Sequence, residues 1–122
     1  MFAEQQVRAI RGATTVEKDT KEQVIKRTQE LVARILEAND IATDNIISVI
    51  FTATDDIKSM FPATAGRAMG LNAVPLLCAR ELDIQGSLAL CIRVLMHVYT
   101  TKKPDEIKHV YLEDAVALRG DL

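Results

Sequence analysis

The sequence of 122 residues contains no tryptophan, three phenylalanines and two tyrosines, so aromatic side chains contribute little to its core. Apolar residues nevertheless make up 48% of the chain, which is enough to build a mainly aliphatic core. The formal net charge of −2 indicates no strongly basic surface. We therefore expect an ordinary globular protein that binds neither nucleic acid nor an anionic membrane surface.

Long apolar runs and a secretion signal are also missing. The longest apolar stretches are interrupted by Asp83, Gly86 or Arg93, and none approaches the roughly 18–20 residues of a membrane-spanning helix. The opening residues hold no apolar segment of the kind that a signal peptide needs. We therefore expect a cytoplasmic protein without a transmembrane segment.

Cysteine and histidine occur only twice each, and their spacing does not match a zinc site. Cys78 and Cys91 could pair in principle, but free thiols are the stronger expectation in a protein without a secretion signal. The sequence also has neither a glycine-rich phosphate loop nor a recognisable nucleophile–base pair. It therefore predicts no metal, no cofactor and no acid–base machinery.

The spacing of apolar residues predicts one long helix and about five strands. Thr20 is the expected helix N-cap, Gln23 completes a capping box with it, and Asn39 ends the helix. The segments typical of strands are 7–12, 46–53, 73–79, 88–100 and 109–112. Gly12 is expected to end the first strand, and Pro75 favours an edge position for its own strand. A loop and a short helix are expected over 59–69, with a turn over 102–105.

These elements predict an α+β fold, a mixed five-stranded sheet covered on one face by the long helix. One helix cannot cover both faces of such a sheet, and the second face is apolar as well. We therefore expect a homo-oligomer that buries the second face, for which a closed ring is a natural arrangement. Since no linker or repeat interrupts the chain, residues 1–122 are expected to form a single domain.

Three arginines stand out because they interrupt apolar or small-residue segments. Arg93 lies in the middle of the apolar segment 90–96, Arg11 ends the first predicted strand, and Arg67 lies among alanine and glycine. A guanidinium group stays charged, so within an apolar strand it needs an anion or access to water. Each arginine could simply pair with a carboxylate or lie at an exposed edge. The residues alone indicate an anion pocket without identifying its ligand.

The other polar candidates have ordinary structural interpretations. Glu81, just after a predicted strand, is typical of a solvated end residue. Cys78 is typical of a small core residue, and Tyr111 of a packing residue with a polar end. His97 and His109 have no obvious partner and are interpreted as structural.

Five blocks, in order and over nearly the whole chain, resemble the monofunctional AroH-type chorismate mutases. They are 10–17 (IRGATTVE), 61–63 (FPA) with Arg67, 74–75 (VP) with Cys78 and Glu81, 91–94 (CIRV), and 109–113 (HVYLE) with 118–119 (LR). The resemblance implies a homotrimer with a β-barrel-like core and active sites at the subunit interfaces. It also implies an isomerase of the shikimate pathway that converts chorismate to prephenate, toward phenylalanine and tyrosine, without cofactor or metal.

The resemblance further implies a role for each candidate residue. Arg93 is expected at the ether oxygen and a neighbouring carboxylate of chorismate, where negative charge develops in the transition state. Arg11 and Tyr111 are expected to bind a carboxylate, and Glu81 and Cys78 to contact the ring hydroxyl. The expected apolar walls are Phe61, Ala63, Val74 and Leu118, and Arg67 is expected to attract the dianion near the entrance.

The sequence departs from the family pattern at several points. Thr64 stands where relatives often carry lysine, and Leu77 where they carry threonine; both are expected to contact the substrate. The stretch between Arg67 and Val74 is one residue shorter, and little of a C-terminal tail follows Arg119. These departures concern affinity and closure of the pocket, and leave the reaction type unchanged.

Two other functions stay open from the sequence alone. An enamine/imine deaminase shares the trimeric shape and an interfacial arginine, and a non-catalytic trimer could bind an aromatic-pathway metabolite. The blocks at 11–15 and 91–94 favour the mutase over both. No regulation by aromatic amino acids is expected, because a chain with one core leaves no obvious regulatory domain.

Overall fold

The computed structural model describes residues 4–121, and side chains as far as residue 119. Residues 1–3 and 122 lie outside the described residues. The expectations of a missing signal peptide and of one domain over 1–122 partly concern these residues. The strands are β1 (Gln6–Thr15), β2 (Ile46–Ala53), β3 (Leu76–Arg80), β4 (Cys91–Thr100) and β5 (Val110–Tyr111). The helices are α1 (Lys21–Ala38) and the short α2 (Pro62–Gly66). Single turns of tighter or wider helix cover Thr43–Asn45, Arg67–Leu71 and Pro104–Glu106, and a C-terminal 3₁₀ helix covers Glu113–Asp121.

The five strands form one sheet in the order β3-β2-β4-β1-β5. The central strand β4 runs antiparallel to β1 and β2, whereas the outer pairs β1–β5 and β2–β3 are parallel. The predicted mixed five-stranded sheet of an α+β fold is therefore confirmed. β3 lies at an edge, as Pro75 predicted.

Helix α1 begins where its capping residue predicted. Thr20 Oγ1 accepts a hydrogen bond from the Gln23 N–H at 3.2 Å, and Asn39 caps the other end. The capping box was wrong in its second half, because Gln23 Oε1 accepts from the Glu17 N–H at 2.9 Å instead of from Thr20. The predicted apolar stripe is buried, at Val24, Thr28, Leu31, Val32 and Ile35.

The prediction that Gly12 ends the first strand was wrong. β1 continues to Thr15 because β4 pairs with it along its whole length, from Gln6 to Thr15. Gly12 instead lies where side chains of α1 pack closely on β1. A Cβ atom at this position would lie 2.7 Å from Ile35 Cδ1 and 3.2 Å from the Val110 carbonyl oxygen.

β2 covers the predicted residues 46–53, whereas β3, β4 and β5 are shorter than predicted for local backbone reasons. β3 begins at Leu76, after Pro75, which has no N–H to contribute to the ladder. β4 begins at Cys91, after Leu90, whose φ of 51° is not extended. β5 ends at Tyr111, and the chain turns at Glu113, again at a φ of 51°, into the C-terminal 3₁₀ helix, which was not predicted.

Alternation along the strands gives the sheet two different faces. The face against α1, here the covered face, holds the buried core residues Ile10, Val49, Phe51, Ile92, Val94 and Met96. The opposite, open face carries Val7, Ala9, Arg11, Ile50, Thr52, Leu77, Arg93, Leu95, His97 and Tyr99, which are half-buried or exposed. Coverage of one face by the long helix is confirmed, and the oligomeric ring stays a prediction.

Among residues 4–121 no helix combines the length and apolarity that crossing a bilayer requires.

Candidate active site

Arg93 lies on the open face, in the third position of the central strand β4. Its cross-strand neighbours are Thr52 on β2 and Ala13 on β1. The Arg93 side chain is 43% exposed, although Ile92 and Val94 on either side of it are buried. The alternation of the strand therefore brings a permanent positive charge to solvent in the middle of the sheet.

Glu81, the first residue after β3, is the anionic partner of Arg93. Arg93 Nε lies 3.2 Å from Glu81 Oε1, but its N–H is not aligned for a hydrogen bond, so the contact is an ion pair. The other carboxylate oxygen of Glu81 accepts a hydrogen bond from Thr52 Oγ1. The Glu81 side chain is only 16% exposed, so the interpretation of Glu81 as a solvated strand end was wrong.

Thr52 is a site residue that the sequence did not single out. It lies directly beside Arg93 in the β2–β4 register, on the same face of the sheet. In the sequence, only the alternation of β2 could have pointed to Thr52. That alternation identifies a site residue only when the strand order, which places Thr52 beside Arg93, is known. Through its hydroxyl group it holds one Glu81 oxygen while the other faces Arg93.

Arg11 lies in the interior of β1 on the open face, beside Leu95 of β4. Its side chain is exposed. Its backbone N–H donates a hydrogen bond to His109 Nδ1 at 2.9 Å. The expectation that Arg11 ends its strand was therefore wrong, and so was the expectation that His109 has no partner.

The imidazole of His109 extends the short parallel ladder between β1 and β5. That ladder pairs Gly12 with Val110 and Ala13 with Tyr111, and the ring supplies the next acceptor along the strand. Burial, with the nearby charge of Arg11, lowers the pKa of His109. A neutral ring keeps Nδ1 available as an acceptor, so His109 fixes Arg11 against the strand that carries Tyr111.

Arg11, Glu81, Arg93, Tyr111 and Leu118 line one cavity on the open face, here called the arginine cavity. Its volume is about 350 Å³, and its floor is formed by residues of β1, β2 and β4. Tyr111 is 9% exposed and packs with Ala13, Cys91 and Ala115. The cavity therefore combines two guanidinium groups, one paired carboxylate, one phenol and apolar walls, a combination suited to a small dianion that also carries a hydroxyl group.

Cys91 lies behind the arginine cavity on the same face. Burial raises the pKa of its thiol to about 11, even though the charge of Arg93 acts in the opposite direction. Cys91 therefore stays a protonated, unreactive thiol near neutral pH. Both cysteines are free, as expected. Within the described chain, His, Cys, Asp and Glu side chains form no group of three that could hold a metal ion.

The other seven predicted site residues lie elsewhere on the chain. Phe61 and Cys78 line a second cavity of about 700 Å³, here called the Phe61 cavity. Cys78 points to the covered face, beside Phe51, and is half-buried against the core. The remaining five are Ala63, which is buried, Val74, which is half-buried, and Thr64, Arg67 and Leu77, which are exposed. None of the seven lines the arginine cavity.

A loop that hydrogen-bonds to Asp19 presents Phe61 to solvent. Asp19, just before α1, accepts hydrogen bonds from the N–H groups of Lys58 and Ser59 at 2.9 and 3.0 Å. The nearby Ser59 hydroxyl group, together with these backbone bonds, lowers the pKa of Asp19. Pro62 begins α2 directly after Phe61, whose ring is 71% exposed. An aromatic ring fixed in an exposed position is typical of a contact surface.

The match to known proteins extends over nearly the whole chain. Residues 7–122 match the family model described as chorismate mutase type I. The chain is 44% identical over 117 residues to the chorismate mutase AroH of Bacillus subtilis, covering 95% of this chain and 92% of that protein. It is 50% identical over 117 residues to the chorismate mutase AroH of Thermus thermophilus, covering 95% and 96%. The solved structure of a chorismate mutase from Clostridium thermocellum is similar with a TM-score of 0.89 and 49% identity, covering 91% of this chain and 99% of that one.

Proposed function

This chain belongs to the chorismate mutase type I family and is a chorismate mutase, and we propose that chorismate rearranges to prephenate in the arginine cavity. The observation that carries the proposal is the Arg93–Glu81 pair on the open face, next to Arg11 and Tyr111. The reaction is intramolecular: the ether C–O bond breaks while a C–C bond forms, and no atom enters or leaves. The site therefore has to select a compact conformer and stabilise developing charge.

Arg11 and Tyr111 each bind a carboxylate of the substrate. Their backbones are tied together, because Ala13 pairs with Tyr111 and the Arg11 N–H bonds to His109. A guanidinium binds a carboxylate through two parallel hydrogen bonds, which fixes orientation as well as position. Together with Arg93 at the ether oxygen and a neighbouring carboxylate, these contacts favour the folded conformer in which the two reacting carbons lie close together.

Arg93 acts on the ether oxygen. As the C–O bond breaks, negative charge accumulates on this oxygen, so a fixed cation binds the transition state more tightly than the ground state. The Glu81 carboxylate restrains Arg93 at its Nε atom before substrate arrives, and Thr52 restrains that carboxylate in turn. This prior ordering supports a catalytic role for Arg93, because preorganised charges need little rearrangement during the reaction.

Glu81 contacts the ring hydroxyl of chorismate. Its carboxylate is the acidic group of the arginine cavity and is mostly shielded from solvent. A carboxylate accepts a hydrogen bond from a hydroxyl group and balances positive charge that develops in the ring. Glu81 thus has two contacts in this proposal, one to Arg93 and one to the substrate.

The active site is completed by a neighbouring copy of the chain, in a homotrimer. Two observations support this part of the proposal. The open face leaves Val7 53%, Leu77 60% and Tyr99 46% exposed, although each is a large apolar side chain. Phe61 and Cys78 line the Phe61 cavity, and Ala63, Thr64 and Arg67 lie in or directly after α2, next to Phe61, where they can serve the cavity of another copy.

In this arrangement Phe61, Ala63, Val74 and Leu77 of one copy form the apolar wall opposite the arginine cavity of the next. Cys78, which lines the Phe61 cavity of that copy, contacts the ring hydroxyl of the substrate, and Thr64 and Arg67 lie near the entrance. We also propose that residues 1–122 form one domain and that the protein works in the cytoplasm, in keeping with its two free thiols. The family match decides against the deaminase and the non-catalytic binding protein.

The test of the proposed function is direct. Purified protein is mixed with chorismate and the loss of the ultraviolet absorbance of chorismate is followed against the spontaneous rate. We expect a large acceleration that follows saturation kinetics and does not respond to added phenylalanine or tyrosine. A rate equal to the spontaneous one would remove the proposal.

A further inference from the structure

Arg27 lies at the centre of a cluster of acidic side chains outside the arginine cavity. It projects from α1, and its side chain is only 15% exposed. Its Nη1 atom lies 2.7 Å from Glu113 Oε1 and 3.6 Å from Glu30 Oε2, and its Nη2 atom lies 4.0 Å from Glu17 Oε1. The contact with Glu113 is the shortest and joins segments 86 positions apart in the chain.

Glu113 is the first residue of the C-terminal 3₁₀ helix and has an unusual backbone conformation. Its φ of 51° lies in the left-handed region that favours glycine. A non-glycine residue stays in this region only where its surroundings hold it there. The ion pair with the nearly buried Arg27 supplies such a restraint through the Glu113 side chain.

The segment around Glu113 connects two walls of the arginine cavity. Tyr111 precedes it by two residues, and Leu118 follows it by five. On either side of Glu113 the backbone is held to β1: the Leu112 N–H donates to the Ala13 carbonyl oxygen at 2.9 Å, and the Asp114 N–H to Thr15 Oγ1 at 3.2 Å. Arg27 adds an attachment to α1, on the other layer of the fold.

We infer that the Arg27–Glu113 ion pair positions the C-terminal 3₁₀ helix so that Leu118 closes the arginine cavity over the substrate. Arg27 and Glu113 do not line that cavity, so they are positioning residues. The inference rests on the proposed function, since it assigns Leu118 to substrate binding. Leu118 contacts apolar parts of the substrate that change little during the reaction. Loosening it therefore weakens ground state and transition state alike, which raises KM and leaves kcat nearly unchanged.

The experiment compares two neutralised partners of the same arginine. Glu113→Gln removes the charge that anchors the C-terminal helix, whereas Glu30→Gln removes a charge on α1 itself, three residues from Arg27. Both variants lose one negative charge and keep the length of the side chain. We expect KM for chorismate to rise roughly three- to tenfold in Glu113→Gln, with kcat within about twofold of wild type. Glu30→Gln is expected to keep the KM of wild type.

The dependence of KM on salt concentration provides a second readout. It separates loss of the ion pair from a general loss of stability. Added salt weakens the binding of a dianion to every variant, but only proteins with the ion pair also lose the anchor. The ratio of KM in Glu113→Gln to KM in wild type should therefore shrink as ionic strength rises. A ratio that stays constant, or equal KM values in Glu113→Gln, Glu30→Gln and wild type, overturns the inference.

Hydrogen exchange separates this inference from the proposed function, because it requires no turnover. In Glu113→Gln the amides of Asp114 and Ala115, which bond to Thr15 and Leu112, should exchange faster than in wild type, while those of β4 stay unchanged. Unchanged exchange at Asp114 and Ala115 contradicts the anchor even if wild-type protein turns over chorismate. Faster exchange in a protein without chorismate turnover keeps the anchor and removes the proposed function instead.

Discussion

The two faces of the sheet are built from the same strands and differ in how far their side chains are buried within one chain. On the covered face, Ile92, Val94 and Met96 of β4 are fully or almost fully buried by residues of the same chain. On the open face, Arg93, Leu95 and His97 alternate with them and remain half-exposed. β4 therefore contributes fully buried core residues to one face and partly exposed residues, with Arg93 among them, to the other.

This difference indicates that the covered face stabilises the fold and that the open face carries the candidate site. The covered face contains the interactions that stabilise the chain by burying apolar area. The open face contains the Arg93–Glu81 ion pair, Arg11 and several exposed apolar residues, a surface that a ligand or another copy of the chain can cover. Substitutions on the two faces should therefore affect different measurements.

Arg93→Lys should give the largest effect on activity. Lysine keeps the charge but not the planar, forked donor geometry. We expect kcat to fall about 10²- to 10³-fold, the range typical of losing one transition-state donor, with the oligomer intact. The control is Ile92→Val, the next residue on the covered face, which should cost about 0.5–1.5 kcal/mol of unfolding free energy without lowering kcat. Near-normal turnover by Arg93→Lys would refute its role.

Glu81→Ala should come next. It removes the partner of Arg93 and the proposed acceptor for the ring hydroxyl. A hydrogen bond to a charged group is worth about 1.5–3 kcal/mol, so kcat should fall roughly 10- to 100-fold. Thr52→Val, which removes only the hydroxyl that orients Glu81, should have a smaller effect in the same direction. A change confined to KM would reassign Glu81 to binding alone.

Gly12→Ala tests the covered face. The new Cβ would lie 2.7 Å from Ile35 Cδ1, so the sheet and α1 have to separate or repack. We expect the free energy of unfolding to fall by about 1–3 kcal/mol, measured by chemical denaturation. Ile35→Val removes that Cδ1 atom, so Gly12→Ala should cost less in the Ile35→Val background than in wild type. Equal costs in the two backgrounds would show that the contact is not the cause.

His109 should give the smallest effect, seen as a pH dependence. Because its pKa in the folded protein lies below the ordinary value of about 6.5, the unfolded chain binds a proton first as pH falls. Unfolding free energy is therefore lost below about pH 6.5, with one proton limiting the slope to about 1.4 kcal/mol per pH unit. His109→Asn keeps an acceptor for the Arg11 N–H without titrating, so its stability should depend less on pH between 5 and 7. An identical pH dependence in both proteins speaks against this role of His109.

The features that could be predicted from the sequence are those set by local pattern. These features are the apolar stripe on α1, its Thr20 N-cap and the edge position of β3, which Pro75 predicted. Each depends on residues near each other in the chain. The strand ends at Leu90 and Glu113 could not be predicted, because an ordinary leucine and glutamate adopt left-handed backbone conformations that tertiary contacts hold in place. The extension of β1 beyond Gly12 likewise depends on pairing with β4, a distant strand.

The candidate site divides in the same way. Arg93 and Arg11 attracted attention as charges in apolar strands, which is a local signal. Thr52 and His109 became recognisable only through strand order and register, which bring them beside Arg93 and Arg11. The roles of Phe61, Cys78 and the other five residues outside the arginine cavity were predicted from the family resemblance alone. Only the fold shows that, within one chain, these residues do not line the arginine cavity.

The central claim, that one active site combines the open face of one copy with the Phe61 region of the next, is tested by mixing two defective chains. Arg93→Lys disables the first half, and Arg67→Glu opposes the dianion at the second. After the two proteins are unfolded together and refolded, random assembly leaves about a quarter of the sites with both halves intact, since each half is wild type in half of the subunits. We predict recovery of about a quarter of wild-type kcat/KM from two nearly inactive proteins. A mixture no more active than the mean of the separately refolded variants would contradict the account and place the whole site within a single chain.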